Sequence, residues 1–163
     1  MMYLRLLLTT FFISFSAQSV EWPQPNPDNC KFYDELEANL QCKSQDVNYL
    51  SDYAPYYCRE FRKRSPNWTA PLQSWVKKTD ACLQTKLYEH KSNSAFTCET
   101  LEKEAFKIHA KCYNQADFCQ LKVSDLYQVF KVIKLRDFWK EFRYSDGGMT
   151  RLISYCIKEN LLK

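Results

Sequence analysis

Cys98-Glu99-Thr100-Leu101-Glu102-Lys103-Glu104-Ala105-Phe106-Lys107-Ile108-His109-Ala110-Lys111-Cys112-Tyr113 is the stretch that decides the fold. Within it Cys98, Leu101, Ala105, Ile108 and Cys112 advance by 3, 4, 3 and 4 residues, which lays a single stripe along an α-helix. Both cysteines then fall on the buried face. Glu99, Glu102 and Glu104, interleaved with Lys103 and Lys107, read as the solvated face with i,i+4 pairing.

The same period recurs on either side. Leu72, Trp75, Val76, Thr79 and Leu83 form a second stripe, with Pro71 where a first-turn proline is tolerated and Cys82 near the end. A third runs through Val123, Leu126, Val129, Phe130 and Ile133, opened by Ser124-Asp125. A fourth, Leu152, Ile153, Cys156 and Ile157, follows the turn Asp146-Gly147-Gly148. Tyr33, Leu36 and Leu40 predict a shorter helix, as do Leu50, Tyr53 and Tyr57, the latter disturbed by Pro55. Phe138, Trp139 and Phe142 make one more short amphipathic piece. With 2 glycines in the chain, few of the turn dipeptides that a sandwich or barrel requires are present. The fold class is therefore all-α, a single disulfide-stapled helical bundle.

Residues 1–19 read as a secretory signal peptide. A basic start at Arg5 precedes an apolar run from Leu6 to Phe15 that is too short to span a bilayer, and Ala17-Gln18-Ser19 has the form of a cleavage site, giving a mature start at Val20. Three of the 6 prolines lie in residues 20–29, an extended lead-in, and the helical domain occupies residues 30–163. Only Arg5 among the charges leaves with the leader, so 22 of the 23 basic residues remain against 19 acidic ones. That balance, with no long basic stripe, argues against a nucleic-acid partner, and no further apolar run predicts a membrane span. Arg59, Arg62, Lys63 and Arg64 form the one dense basic cluster, a solvated helix end or a contact for a receptor or glycosaminoglycan.

All 8 cysteines follow the leader, and an even number in an exported chain implies four disulfides. Metal ligation is disfavoured, because there is no C-x-x-C pair and the histidines are His90 and His109 alone. Asp46, Asp52 and Asp146 lack the spacing of a calcium loop and read as solvent-facing. Asn67-Trp68-Thr69 is an N-glycosylation sequon in an exposed loop, with Asn67 as the acceptor. His109-Ala110-Lys111-Cys112-Tyr113 is the fragment most like an active site, since secreted phospholipases A2 carry a His-Asp-x-Cys motif on a disulfide-bonded helix. Ala110 stands where the calcium-ligating aspartate would be, and no glycine-rich loop precedes it. No catalytic triad order, G-x-S-x-G elbow or H-E-x-x-H helix is present, so neither an enzyme nor a cofactor is expected.

Leu40-Gln41-Cys42, Tyr56-Tyr57-Cys58-x-x-Phe61, Trp75-Val76 ahead of Cys82, then Cys98, Cys112-Tyr113 and Cys119 resemble the stanniocalcin family of secreted glycoprotein hormones. The intervals from Cys58 through Cys82, Cys98 and Cys112 to Cys119, of 24, 16, 14 and 7 residues, carry the likeness, which covers about residues 30–157. Among the roughly 105 pairings open to eight cysteines, the resemblance implies Cys82–Cys112 and Cys119–Cys156. It leaves Cys42–Cys58 with Cys30–Cys98, the favoured arrangement, or Cys30–Cys42 with Cys58–Cys98. It also implies hormone activity in calcium and phosphate homeostasis, exerted on an extracellular receptor or, as in pappalysin inhibition, a protease. Vertebrate members dimerise through an additional cysteine, so this chain is expected as a monomer or non-covalent dimer. The alternatives are a secreted inhibitor or effector on a similar scaffold and a degenerate phospholipase-like hydrolase using His109.

Overall fold

The computed structural model describes residues 21–92 and 97–134, together with Asp137, Leu152, Ser154, Cys156 and Lys158. The leader, the piece around Phe138, Trp139 and Phe142, and the Asp146-Gly147-Gly148 turn lie outside the described residues. Five α-helices follow in order: α1 (Lys31–Leu40), α2 (Ala54–Arg64), α3 (Ala70–Glu89), α4 (Cys98–Gln115) and α5 (Val123–Val132). Among the described residues there is no strand, and Leu152, Ser154, Cys156 and Lys158 are also helical.

Each helix begins where its sequence permits. Thr69 caps α3 by accepting from the Leu72 amide, with Pro71 in the first turn. Thr97 and Thr100 close a reciprocal capping box on α4, each hydroxyl accepting from the other's backbone N–H at 3.1 and 2.8 Å. Pro55 does not disturb its helix: it sits in the first turn of α2, where a missing N–H costs nothing, directly after a π-helical turn at Tyr49–Tyr53.

α3 and α4 pack antiparallel and form the spine. Leu72, Trp75 and Val76 of α3 share one core with Tyr113, Phe118, Leu121 and Val129, and Leu152 and Cys156 join it. Leu87, at the other end of α3, shares a second core with Leu101, Ala105 and Phe106 of α4, Phe32, Tyr33 and Leu36 of α1, and Tyr53 and Tyr57. Phe61 and Trp68 pack against both cores. The α4 stripe is wider than its sequence indicates: Glu102, Phe106 and His109 are buried beside Leu101 and Ala105, while Ile108 is half-buried. Glu102 thus leaves the solvated face. In α3 the buried line shifts from Thr79 to Asp80, Gln84 and Leu87, and Leu83 is half-buried. α3 continues seven residues past Cys82, so that cysteine lies within the helix rather than near its end.

All eight cysteines are bonded. Cys82 joins Cys112 and Cys119 joins Cys156, the two links that the resemblance implies. The N-terminal pairing is corrected. Cys30 bonds Cys58 and Cys42 bonds Cys98, so Cys42–Cys58, Cys30–Cys98, Cys30–Cys42 and Cys58–Cys98 are all absent. The cause is α1. Its 10 residues hold Cys30 and Cys42 at opposite ends, about 15 Å apart along the axis, beyond the reach of a bridge. Cys30 meets α2 and Cys42 meets the first residue of α4. The lead-in is irregular but docked: Gln84 Oε1 accepts from the Asn26 amide at 2.7 Å, Arg62 donates to the Pro27 carbonyl at 2.6 Å, and Pro23 is buried.

Candidate functional site

Two places concentrate chemistry, one internal and one external. The internal one lies where α2, α3, α4 and the π-helical turn meet, a cavity of about 60 Å³ lined mainly by Tyr33, Tyr53, Trp75, Thr79, Asp80 and His109. Burial draws these aromatics together because their positions fall on the inward faces of the elements that carry them. Trp75 Nε1 and Thr79 Oγ1 are buried beside the cavity without a hydrogen-bond partner among the described residues. The volume is enough for a few water molecules and falls short of the roughly 150 Å³ in which benzene is held.

His109 lies inside this cluster, 3% exposed. Its ring stacks between Tyr53 and Tyr113, at centroid distances of 5.9 and 5.6 Å, and its Nε2 is 3.2 Å from the Tyr49 hydroxyl. The imidazole is packed as an aromatic core residue with a polar contact to Tyr49, and Ala110 beside it offers no carboxylate to orient it.

Asp80 is one of the buried carboxylates among the described residues, with Glu102, Asp125 and Asp137. Burial pushes its carboxyl up to about 6, against the opposing pull of the Arg62 guanidinium 3.4 Å away and the Gln84 amide, also at 3.4 Å. The Cys58 sulfur 3.5 Å from the carboxylate is oxidised and donates no proton. Tyr33 titrates well above the ordinary phenol range, first because it is buried and then because Asp80 is near. Tyr57 is raised as well, by burial and by donating to Asp137 at 2.6 Å.

The basic cluster on α2 is largely consumed within the molecule. Arg59 pairs with Asp34, Arg62 with Asp80 and two lead-in carbonyls, and Arg64 with Glu60. Lys63 is the member with no acidic partner among the described residues, so a receptor or glycosaminoglycan contact centred on this cluster is not favoured. Asp52 pairs with Lys43, Asp46 occupies an exposed left-handed turn, and Asp146 lies outside the described residues. Among the described residues no three His, Cys, Asp or Glu side chains are grouped to hold a metal ion, and no helix is long and apolar enough to cross a membrane.

Asn67 is exposed at the end of the short 3-10 turn Ser65–Asn67, as an acceptor asparagine requires. Its sequon partner Thr69 serves the fold as well, capping α3 while its hydroxyl donates to the buried Asp125 of α5 at 2.9 Å.

The external place is α5. The sequence stripe counts Phe130 with the core, but Val129 and Val132 are the buried positions, Leu126 and Ile133 are half-buried, and Val123, Tyr127 and Phe130 are 83, 60 and 41% exposed. The difference is one of phase: Asp125, which bonds inward to Thr69, rotates the helix so that the apolar residue after Val129 faces out. No protein-family model matches the chain, and no curated protein or solved structure does.

Proposed function

We propose that this chain is a secreted, stanniocalcin-like signalling glycoprotein that acts without catalysis, by presenting a rigid helical surface to an extracellular protein. The observation that carries the reading is the bonding of Cys82 to Cys112 and of Cys119 to Cys156, the two links implied by the stanniocalcin resemblance. Four disulfides suit an oxidising compartment, and the small internal cavity leaves recognition to the outer surface. Within this reading Asn67 carries the glycan, and the physiological output is control of calcium and phosphate transport. The purified secreted protein, added to a transporting epithelium of its source, is expected to change calcium or phosphate flux in a saturable manner. A tight complex with a protease or another extracellular protein and no change in flux would instead place the scaffold among secreted inhibitors or effectors.

A further inference from the structure

We propose that the exposed face of α5 is the docking surface of the molecule and that its occupant is an acidic, partly apolar patch on an extracellular protein. This rests on the reading of the chain as a secreted binding protein and names the surface it uses. Val123, Tyr127 and Phe130 are the large apolar side chains left exposed among the described residues. Their spacing of 4 and 3 places them on one side of one helix. Exposed aromatics such as Tyr127 and Phe130 are enriched at the centre of binding interfaces, and lysines, which such centres disfavour, belong to the polar rim around them.

Charge supplies the second observation. Lys122, Lys131 and Lys134 are exposed around this face, and from Lys122 to Lys134 the one acidic residue, Asp125, is buried and bonded to Thr69. Elsewhere Lys43, Lys77, Lys78, Lys86, Lys103 and Lys107 each have a carboxylate within 3.3 Å, while Lys63 and Lys111 are exposed without one among the described residues but do not border an exposed aromatic face. The three ammonium groups near α5 have none among the described residues. Two of them rest on rings instead, Lys131 over Tyr127 at 5.0 Å and Lys134 over Tyr56 at 3.7 Å. Such contacts hold cations beside apolar surface without neutralising them.

These features select the occupant. A second copy of the chain docked through the same face would set lysines against lysines, which costs free energy. A sulfated polysaccharide would satisfy the charge and leave Val123, Tyr127 and Phe130 wet. Anionic lipid is concentrated on the cytoplasmic leaflet, out of reach of an exported protein. An acidic protein surface with apolar residues at its centre satisfies both requirements.

The test uses the full secreted chain, fluorescently labelled and titrated onto intact cells of its source, before and after the cells are treated with trypsin or heparinase. The account expects saturable, trypsin-sensitive, heparinase-resistant binding that weakens at least tenfold in Tyr127→Ala/Phe130→Ala and in Lys131→Glu/Lys134→Glu. Lys63→Glu/Lys111→Glu, exposed changes elsewhere, should leave it unaltered. Circular dichroism establishes that each variant is folded. Trypsin-sensitive binding indifferent to both α5 variants overturns the surface and leaves the binding function standing. Absence of any trypsin-sensitive binding by the wild type overturns the function itself. Binding abolished by heparinase, transfer to phosphatidylserine vesicles, or dimerisation lost in the α5 variants would each replace the proposed occupant with another.

Discussion

Asp80 shows how a residue in the core ties stability to solution conditions. Its carboxyl is raised to about 6 by burial, against about 3.9 in an unfolded chain. Between those two values the folded protein holds a proton that the unfolded chain has lost. The contribution of Asp80 to stability is therefore greatest below about pH 4, declines as the pH rises through 6, and is level above that. A rise of this size corresponds to roughly 2–3 kcal/mol, an upper bound since Arg62 remains one-third exposed. Asp80→Asn removes the titration while keeping an acceptor for Arg62. Urea unfolding of both proteins at pH 4 and pH 7.5 should show the difference between them moving toward the variant by up to that amount. A difference independent of pH would mean that Asp80 is better solvated than its surroundings imply. For His109, the alanine at position 110 in place of an aspartate is legible in the sequence, whereas the stacked rings of Tyr53 and Tyr113 that bury it come from another element and from the next turn.

At the scale of single elements, scarcity of glycine predicts helices, and it also leaves a mark on their ends. Gln41, Asp46 and Asp117 adopt positive φ, at 52, 60 and 69°, in turns where glycine would be relaxed. Gln41 closes α1, its amide donating to the Glu37 carbonyl at 2.7 Å, and its side chain is exposed. Gln41→Gly relieves the left-handed strain at the expense of a more flexible unfolded chain. A net gain of about 0.5–1 kcal/mol is expected, seen as a rise in Tm; a fall would mean that the glutamine stem packs on α1. The period of 3.6 reveals every α-helix in the described residues, because burial of one face imposes it. Phase is less secure. Phe130 reads as inward because it is apolar, but the hydrogen bond from Thr69 to Asp125, 56 residues apart in sequence, fixes how α5 is turned. Glu102 reads as outward because it is charged, yet the width of the α4 interface decides its burial. Both differences arise from tertiary contacts to which a local pattern is blind.

Among the described residues two cores are threaded by the α3–α4 pair and closed by four disulfides. Cys30–Cys58 ties the lead-in to α2, Cys42–Cys98 ties the end of α1 to the start of α4, and Cys82–Cys112 clamps the spine. Cys119–Cys156 brings the helical residues Leu152 and Cys156 onto the core of Leu72, Trp75 and Tyr113. The helix predicted through Tyr33, Leu36 and Leu40 already argues against a Cys30–Cys42 bridge, since it separates those residues by its full length. Choosing between the remaining pairings requires knowing which helix lies beside each end of α1, and that is a property of the packed fold. Cys119–Cys156 closes the chain on either side of α5, and burial of Val129 and Val132 with the Thr69–Asp125 hydrogen bond seats that helix on the cores. The most direct test is non-reducing peptide mass spectrometry of the secreted protein. Cys30–Cys58, Cys42–Cys98, Cys82–Cys112 and Cys119–Cys156 in a single chain are the predicted result; Cys30 joined to Cys98 would contradict the fold, and a Cys82–Cys98 bridge would contradict both the fold and the function proposed from it.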